Sequence, residues 1–116
     1  MSTADITASV DELIALALEG NWEQAFEKFY DPHIEKTDLD GVPVKVWHEN
    51  VANGRAFTSK ISNVRDFSCV GRVVKDNRSF VVWSFDFDVD GNPFKVVEVA
   101  IQDWENGKIV RERFFE

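Results

Sequence analysis

Four side chains in this sequence stand where acid–base chemistry could be done: Glu98, Arg113, Asp38 and His48. Glu98 lies in the strand-like run VVEVAIQDW, where alternate residues share a face, so it points the same way as Val96, Ala100, Gln102 and Trp104. A carboxylate on an apolar face either has a cationic partner or takes a raised pKa, and the second state makes it a general acid or base. A straight hairpin about Asn106-Gly107 pairs Ala100 with Arg113 and puts that guanidinium diagonally beside Glu98. That register favours a buried ion pair with a lowered Glu98 pKa, chiefly structural in effect. His48 falls at one edge of a helical stripe through Trp47 and Val51, where a structural histidine is commoner than a catalytic one. Asp38 stands in a loop-like stretch before Asp40-Gly41, and a plain turn residue is its simplest reading.

The elements that must position these groups follow from turn chemistry. Residues 78–116 read as three antiparallel strands joined at Asp90-Gly91 and Asn106-Gly107, pairs that supply the positive φ a two-residue hairpin needs. The first turn sets Phe87 opposite Phe94, Phe85 opposite Val96, Trp83 opposite Glu98 and Val81 opposite Ala100. The second sets Trp104 opposite Ile109 and Gln102 opposite Arg111. One face then carries Trp83, Phe85, Phe87, Val96, Glu98, Gln102, Trp104, Arg111 and Arg113. The other carries Val82, Ser84, Asp86, Val97, Val99, Ile101, Asp103, Val110 and Phe114. Both are substantially apolar, so both should be covered.

Upstream, Ile6, Val10, Leu13, Ile14, Ala17 and Leu18 make one stripe of a helix over about residues 3–19, ended by Gly20. Asn21 with Gln24 has the form of a capping box and opens a second helix through Trp22, Ala25, Phe26 and Phe29, stopped ahead of Pro32. Residues 34–39 form a short strand. Pro43 suits the first turn of a third helix that runs to Ile61, in which Gly54 costs about 1 kcal/mol relative to Ala. Residues 64–75 add a strand, turned at Asp76-Asn77. Helices first and then a long meander argue for one α+β domain over residues 1–116, with helices on one sheet face.

Composition narrows the function. The 116 residues are 44% apolar and 13% aromatic, so a packed core is expected. A net charge of −8 with no local basic patch argues against a nucleic-acid partner. No long apolar run suggests a membrane span, and the N-terminus lacks the form of a signal peptide. With one cysteine, Cys69, the expected setting is the cytoplasm. No phosphate loop, dinucleotide fingerprint or zinc pair is present, and no cofactor or metal is expected. Asp86–Gly91 imitates the start of a calcium loop, but Val97 stands where the closing glutamate belongs.

Three stretches together, EKFYDPHIEKTD, SFVVWSFDFDVDGN and VAIQDWENGKIVRERFFE, resemble the SnoaL-like branch of the nuclear transport factor 2-like superfamily, which also holds the ketosteroid isomerases. The resemblance implies a strongly curved sheet wrapped with helices into a cone around an apolar pocket, often dimeric through the outer sheet face. The pocket expected here is lined by Trp83, Phe85, Val96, Gln102 and Trp104, with Leu13 and Trp47 from the helices. In the isomerases a carboxylate base works with a tyrosine and a protonated aspartic acid that hold an oxyanion. By position these donors fall on Leu13 and Ala100, so both are missing, and the SnoaL-like cyclase aspartate near Ala100 is lost too. The base position falls at Asp38, or at Thr37 with no gap after Tyr30. Two functional classes follow. One is an acid–base enzyme of isomerase, cyclase or hydrolase type acting on an apolar metabolite. The other is a non-catalytic dimeric module for an apolar small molecule or a partner protein. An apolar patch of Val82, Val97, Val99, Ile101, Val110 and Phe114 is the expected homodimer face.

Overall fold

The computed structural model describes residues 2–39, 41–44 and 47–116, with the side chains of residues 44 and 47–50 excepted. The chain begins with α1 (Thr3–Leu18), whose Ile6, Val10 and Leu13 are spaced to fall on one buried stripe. Its N-terminus is fixed by a capping box: Ser2 Oγ accepts from the Asp5 amide and the Asp5 carboxylate accepts from the Ser2 amide. The chain turns at Gly20, φ +83°, into α2 (Trp22–Phe29), which buries Ala25 and Phe29. The box expected at Asn21 does not form, and that side chain donates instead to Glu19.

Strand β1 (Tyr30–Thr37) follows α2 directly, earlier than the sequence suggests. Pro43 does not open a helix. Pro43–Val44 forms a two-residue β2 paired antiparallel with β1, and α3 begins later (Trp47–Thr58). Gly54 in α3 has a packing reason: a Cβ there would stand 2.8 Å from Cζ3 of Trp22, so the helix approaches that indole more closely than any side chain allows. Three long strands and a shorter one complete the sheet: β3 (Ile61–Lys75), β4 (Arg78–Val89), β5 (Asn92–Glu105) and β6 (Lys108–Phe115).

The sheet order is β2-β1-β6-β5-β4-β3, antiparallel except for the parallel pair of β1 with β6. Asp90, Gly91, Asn106 and Gly107 all have positive φ, as both hairpin turns require. The β4–β5 ladder has the expected register at all four pairs, Phe87 to Phe94 through Val81 to Ala100. The second hairpin departs from it. Trp104 pairs with Ile109 as expected, but Asp103 pairs with Arg111, leaving Val110 as the extra residue of a β-bulge. From there on, inside and outside are exchanged on β6. Gln102 faces Glu112 and Ala100 faces Phe114, while Arg111 and Arg113 turn to the outer face with Asp103. Leaving the bulge out would bury two guanidiniums, and burying charge is costly.

The concave face of the sheet and the helices enclose one core of Ile6, Val10, Leu13, Phe29, Ile34, Val81, Trp104 and Ile109, among others. This is the α+β cone. Among the described residues nothing covers the outer face: Val73, Val97 and Phe115 are 60%, 56% and 50% exposed. Phe114 leaves the expected outer patch and packs against the core, and Phe115 takes its place opposite Val99. The Asp86–Gly91 stretch runs as strand and turn, and Arg65 donates to both Asp86 and Asp88. None of the described helices is long and apolar enough to cross a membrane.

Candidate functional site

Alternation along β5 turns Val96, Glu98, Ala100, Gln102 and Trp104 inward, and all five are buried. Glu98 faces Trp83 across the ladder and is 9% exposed. Among the described residues its carboxyl makes no hydrogen bond or ion pair. Burial pushes its carboxyl up to about 7; the charges of Asp38 and then Glu112 add to the rise, and the Lys36 ammonium opposes it.

Arg113 is therefore not the partner of Glu98. It lies on the outer face, where Nη2 is 3.8 Å from Asp103 Oδ2, and its Nε is sealed without an acceptor. The ion pair expected from a straight ladder is excluded by the bulge, and among the described residues Glu98 stands alone. Asp38 lies just past β1, half-buried, with its Oδ1 3.4 Å from Lys36 Nζ. The side chains of His48 and Trp47 lie outside the described residues.

The sequence reading missed Lys36, Glu112 and Tyr30. The Lys36 ammonium sits between two rings, 5.6 Å from the centroid of Phe26 and 5.3 Å from that of Phe114. Glu112, paired with Lys36 in the parallel β1–β6 register, is 1% exposed. Its carboxyl accepts from the Tyr30 hydroxyl and, at 2.8 Å, from Gln102 Nε2. Gln102 Oε1 accepts from Ser79 Oγ, which accepts from Trp104 Nε1. Burial raises both the Glu112 carboxyl and, well above its usual range, the Tyr30 phenol. One signal in the sequence pointed to Glu112. In Arg111-Glu112-Arg113 a strand must turn inward either the two arginines or the single glutamate, and one hydrogen-bonded carboxyl is the cheaper to bury.

Of the expected lining residues, Trp83 and Val96 are buried on the Glu98 face, and Phe85 is partly buried there. Leu13, Gln102 and Trp104 are held in the core, the last two by the hydrogen bonds just described. Two clefts open elsewhere on the described surface. One of about 440 Å³ runs past Glu23, Glu27, Tyr30, Pro32, Val51 and Arg55, and the other, about 500 Å³, lies by the turns at Asp76 and Glu105. Neither reaches Glu98. We assign the candidate site to Glu98 all the same, because an unpaired buried carboxyl is a stronger chemical feature than open volume.

This chain belongs to the SnoaL-like domain family, which matches it over residues 1–116. Solved structures share its fold at low identity. A Mesorhizobium loti protein of SnoaL-like polyketide-cyclase type is 21% identical, covers both chains completely and superposes with a TM-score of 0.83. A nuclear transport factor 2-like protein of unknown function from Burkholderia pseudomallei is 18% identical over 99% of this chain and 91% of its own, with a TM-score of 0.79. A Catenulispora acidiphila protein with a ketosteroid isomerase-like fold, in complex with trimethylamine, is 14% identical over 79% of this chain and 72% of its own, with a TM-score of 0.64. None of the curated proteins matches the chain.

Proposed function

We propose that this SnoaL-like protein binds a small apolar molecule on the concave face of its sheet and exchanges a proton with it through Glu98. The observation that carries the reading is the lone Glu98 carboxyl: buried, unpaired and titrating at about 7, it can give or take a proton near neutral pH. Asp38 lies near enough to raise that value by its charge, and acts here as a neighbour of the base. Leu13 and Ala100 offer no oxyanion donor, so the isomerase and cyclase routes lack their usual support, which is worth on the order of a hundredfold in rate per donor.

The test is proton transfer itself. A panel of apolar ketones in deuterated buffer, followed by nuclear magnetic resonance, should lose α-protons faster with wild type than with Glu98→Gln. The dependence on pH should rise through about 7. Binding of the panel without exchange would support the non-catalytic module instead. Failure of any apolar compound to bind would overturn the reading.

The reading includes a second copy of the chain on the outer sheet face. One end of that face carries Asp66, Asp86 and Asp88 against Arg65 and Lys95; the other carries Arg78, Arg111 and Arg113 against Asp103. A twofold axis lying across the strands sets each acidic end against a basic end, with the exposed valines between them.

A further inference from the structure

Glu98 has no role in holding the fold that any described contact reveals. It is 9% exposed and, among the described residues, its carboxyl is unpartnered; the one sealed, unpaired side-chain polar atom among those residues is elsewhere, at Arg113 Nε, so the Glu98 carboxyl keeps some access to solvent. Its neighbours on that face are aromatic: Trp83 stands opposite it across the ladder and Phe85 lies on the same face of β4. The Trp83 and Phe85 rings lie 6.1 Å apart and nearly parallel, at 19°, and Phe67, 40% exposed, stacks on both. Ring faces are negative and attract cations. The charged groups that act on Glu98 are Asp38 and Lys36 from the β1 side, Glu112 from β6 and Glu116 just past it: three carboxyls against one ammonium. Lys36 shows how this interior treats a cation, holding its ammonium between two ring faces beside a carboxylate.

We propose that the pocket beside Glu98 takes an organic cation, an apolar small molecule whose tertiary or quaternary ammonium pairs with the Glu98 carboxylate and rests on the Trp83 and Phe85 rings. This rests on the reading of Glu98 as the ligand-facing group and names the chemical class of its ligand. A neutral tertiary amine enters by taking the Glu98 proton: the carboxyl O–H bond breaks, the N–H bond forms, and an ammonium carboxylate pair remains. A quaternary ammonium cannot take a proton, so Glu98 releases its proton to solvent. With a carboxyl that titrates at about 7, affinity for a permanent cation rises with pH up to that value and is level above it.

The experiment compares benzyltrimethylammonium with its uncharged isostere neopentylbenzene and with phenylacetate, by calorimetry on the wild-type chain at pH 6 and pH 8. The cation is expected to bind at least tenfold more tightly than the isostere at pH 8, to weaken by about tenfold at pH 6, and to release about one proton per site near pH 6. In Glu98→Gln the preference for charge and its pH dependence should vanish while neopentylbenzene binds as before. Equal binding of cation and isostere by wild type overturns the cation proposal and leaves the apolar pocket standing; so does a preference for phenylacetate. Binding of none of the three overturns both. The pH dependence in wild type decides the matter even if the variant does not fold.

Discussion

The two faces of the sheet treat charge in opposite ways. On the outer face Arg65, Arg78 and Arg113 each have a carboxylate within reach, at 2.9, 2.6 and 3.8 Å. On the concave face Glu98 has none. Exposed pairs keep much of their hydration, so they form readily and contribute little. A lone buried carboxyl has lost most of its water and gained no partner, and it persists only at a cost. Apolar area follows the reverse rule. Inside it is covered by helices, and outside Val73, Val97 and Phe115 stay exposed. Each face thus lacks one thing: the concave side lacks a counterpart for a charge, and the outer side a cover for valines.

The largest expected effect lies on the outer face. Val97→Lys should convert the proposed dimer into monomers, because a charge in an apolar contact is costly to desolvate. Sedimentation at micromolar concentration reads this directly, and a wild-type chain running as a single 13.3 kDa species would remove the dimer from the comparison.

Next in size is the sealed network inside. Glu112→Ala leaves the Tyr30 hydroxyl and the Gln102 amide without their acceptor and should cost about 3 kcal/mol or more in urea unfolding. Glu112→Gln, which keeps an acceptor, should cost clearly less. Equal losses would mean that the carboxyl fills space and that its hydrogen bonds count for little.

Glu98→Gln should behave in the opposite sense. Unfolded, the Glu98 carboxyl titrates near its ordinary 4.5, and folded near 7. Between those values the folded chain keeps a proton that the unfolded chain has lost, so wild-type stability falls as pH rises through the window. The variant should match wild type at pH 4.5 and exceed it at pH 8 by roughly 2 kcal/mol, a figure reduced for the solvent that still reaches the carboxyl. Thermal melts across that range measure it, and a variant less stable than wild type at pH 8 would mean that Glu98 has a cationic partner after all.

The smallest effect sharpens the contrast most. Arg113→Ala should change stability by less than about 1 kcal/mol, since Asp103 keeps Arg78 at 2.6 Å. It should also leave the carbon-13 titration of the Glu98 carboxyl where it was. A movement of a full pH unit would place Arg113 inside, against the bulged register.

The first hairpin was legible because Asp90-Gly91 fixes its turn type, and the turn fixes every pair up to Val81 and Ala100. Glu98 was legible for the same reason, since its face follows from alternation once the register is known. Its solitude was not. That depends on Val110, and an extra residue in a strand of β-branched and charged side chains has no local mark. Lys36 and Tyr30 were hidden differently. They meet Glu112 through a parallel pairing of β1 with β6 across most of the chain, which no turn announces. Pro43 suited a helix start by its own preference, and pairing with β1 overrode it.

The bulge at Val110 makes the electrical character of the interior a matter of counting. If the same residues ran on without the bulge, Val110 would pair with Asp103, and Arg111 and Arg113 would turn inward and Glu112 and Phe114 outward. That one-residue shift of register would exchange one interior carboxyl for two guanidiniums and hand Glu98 the partner it lacks. Parity, more than the identity of any residue in β6, decides which sign of charge faces Glu98 in this interior.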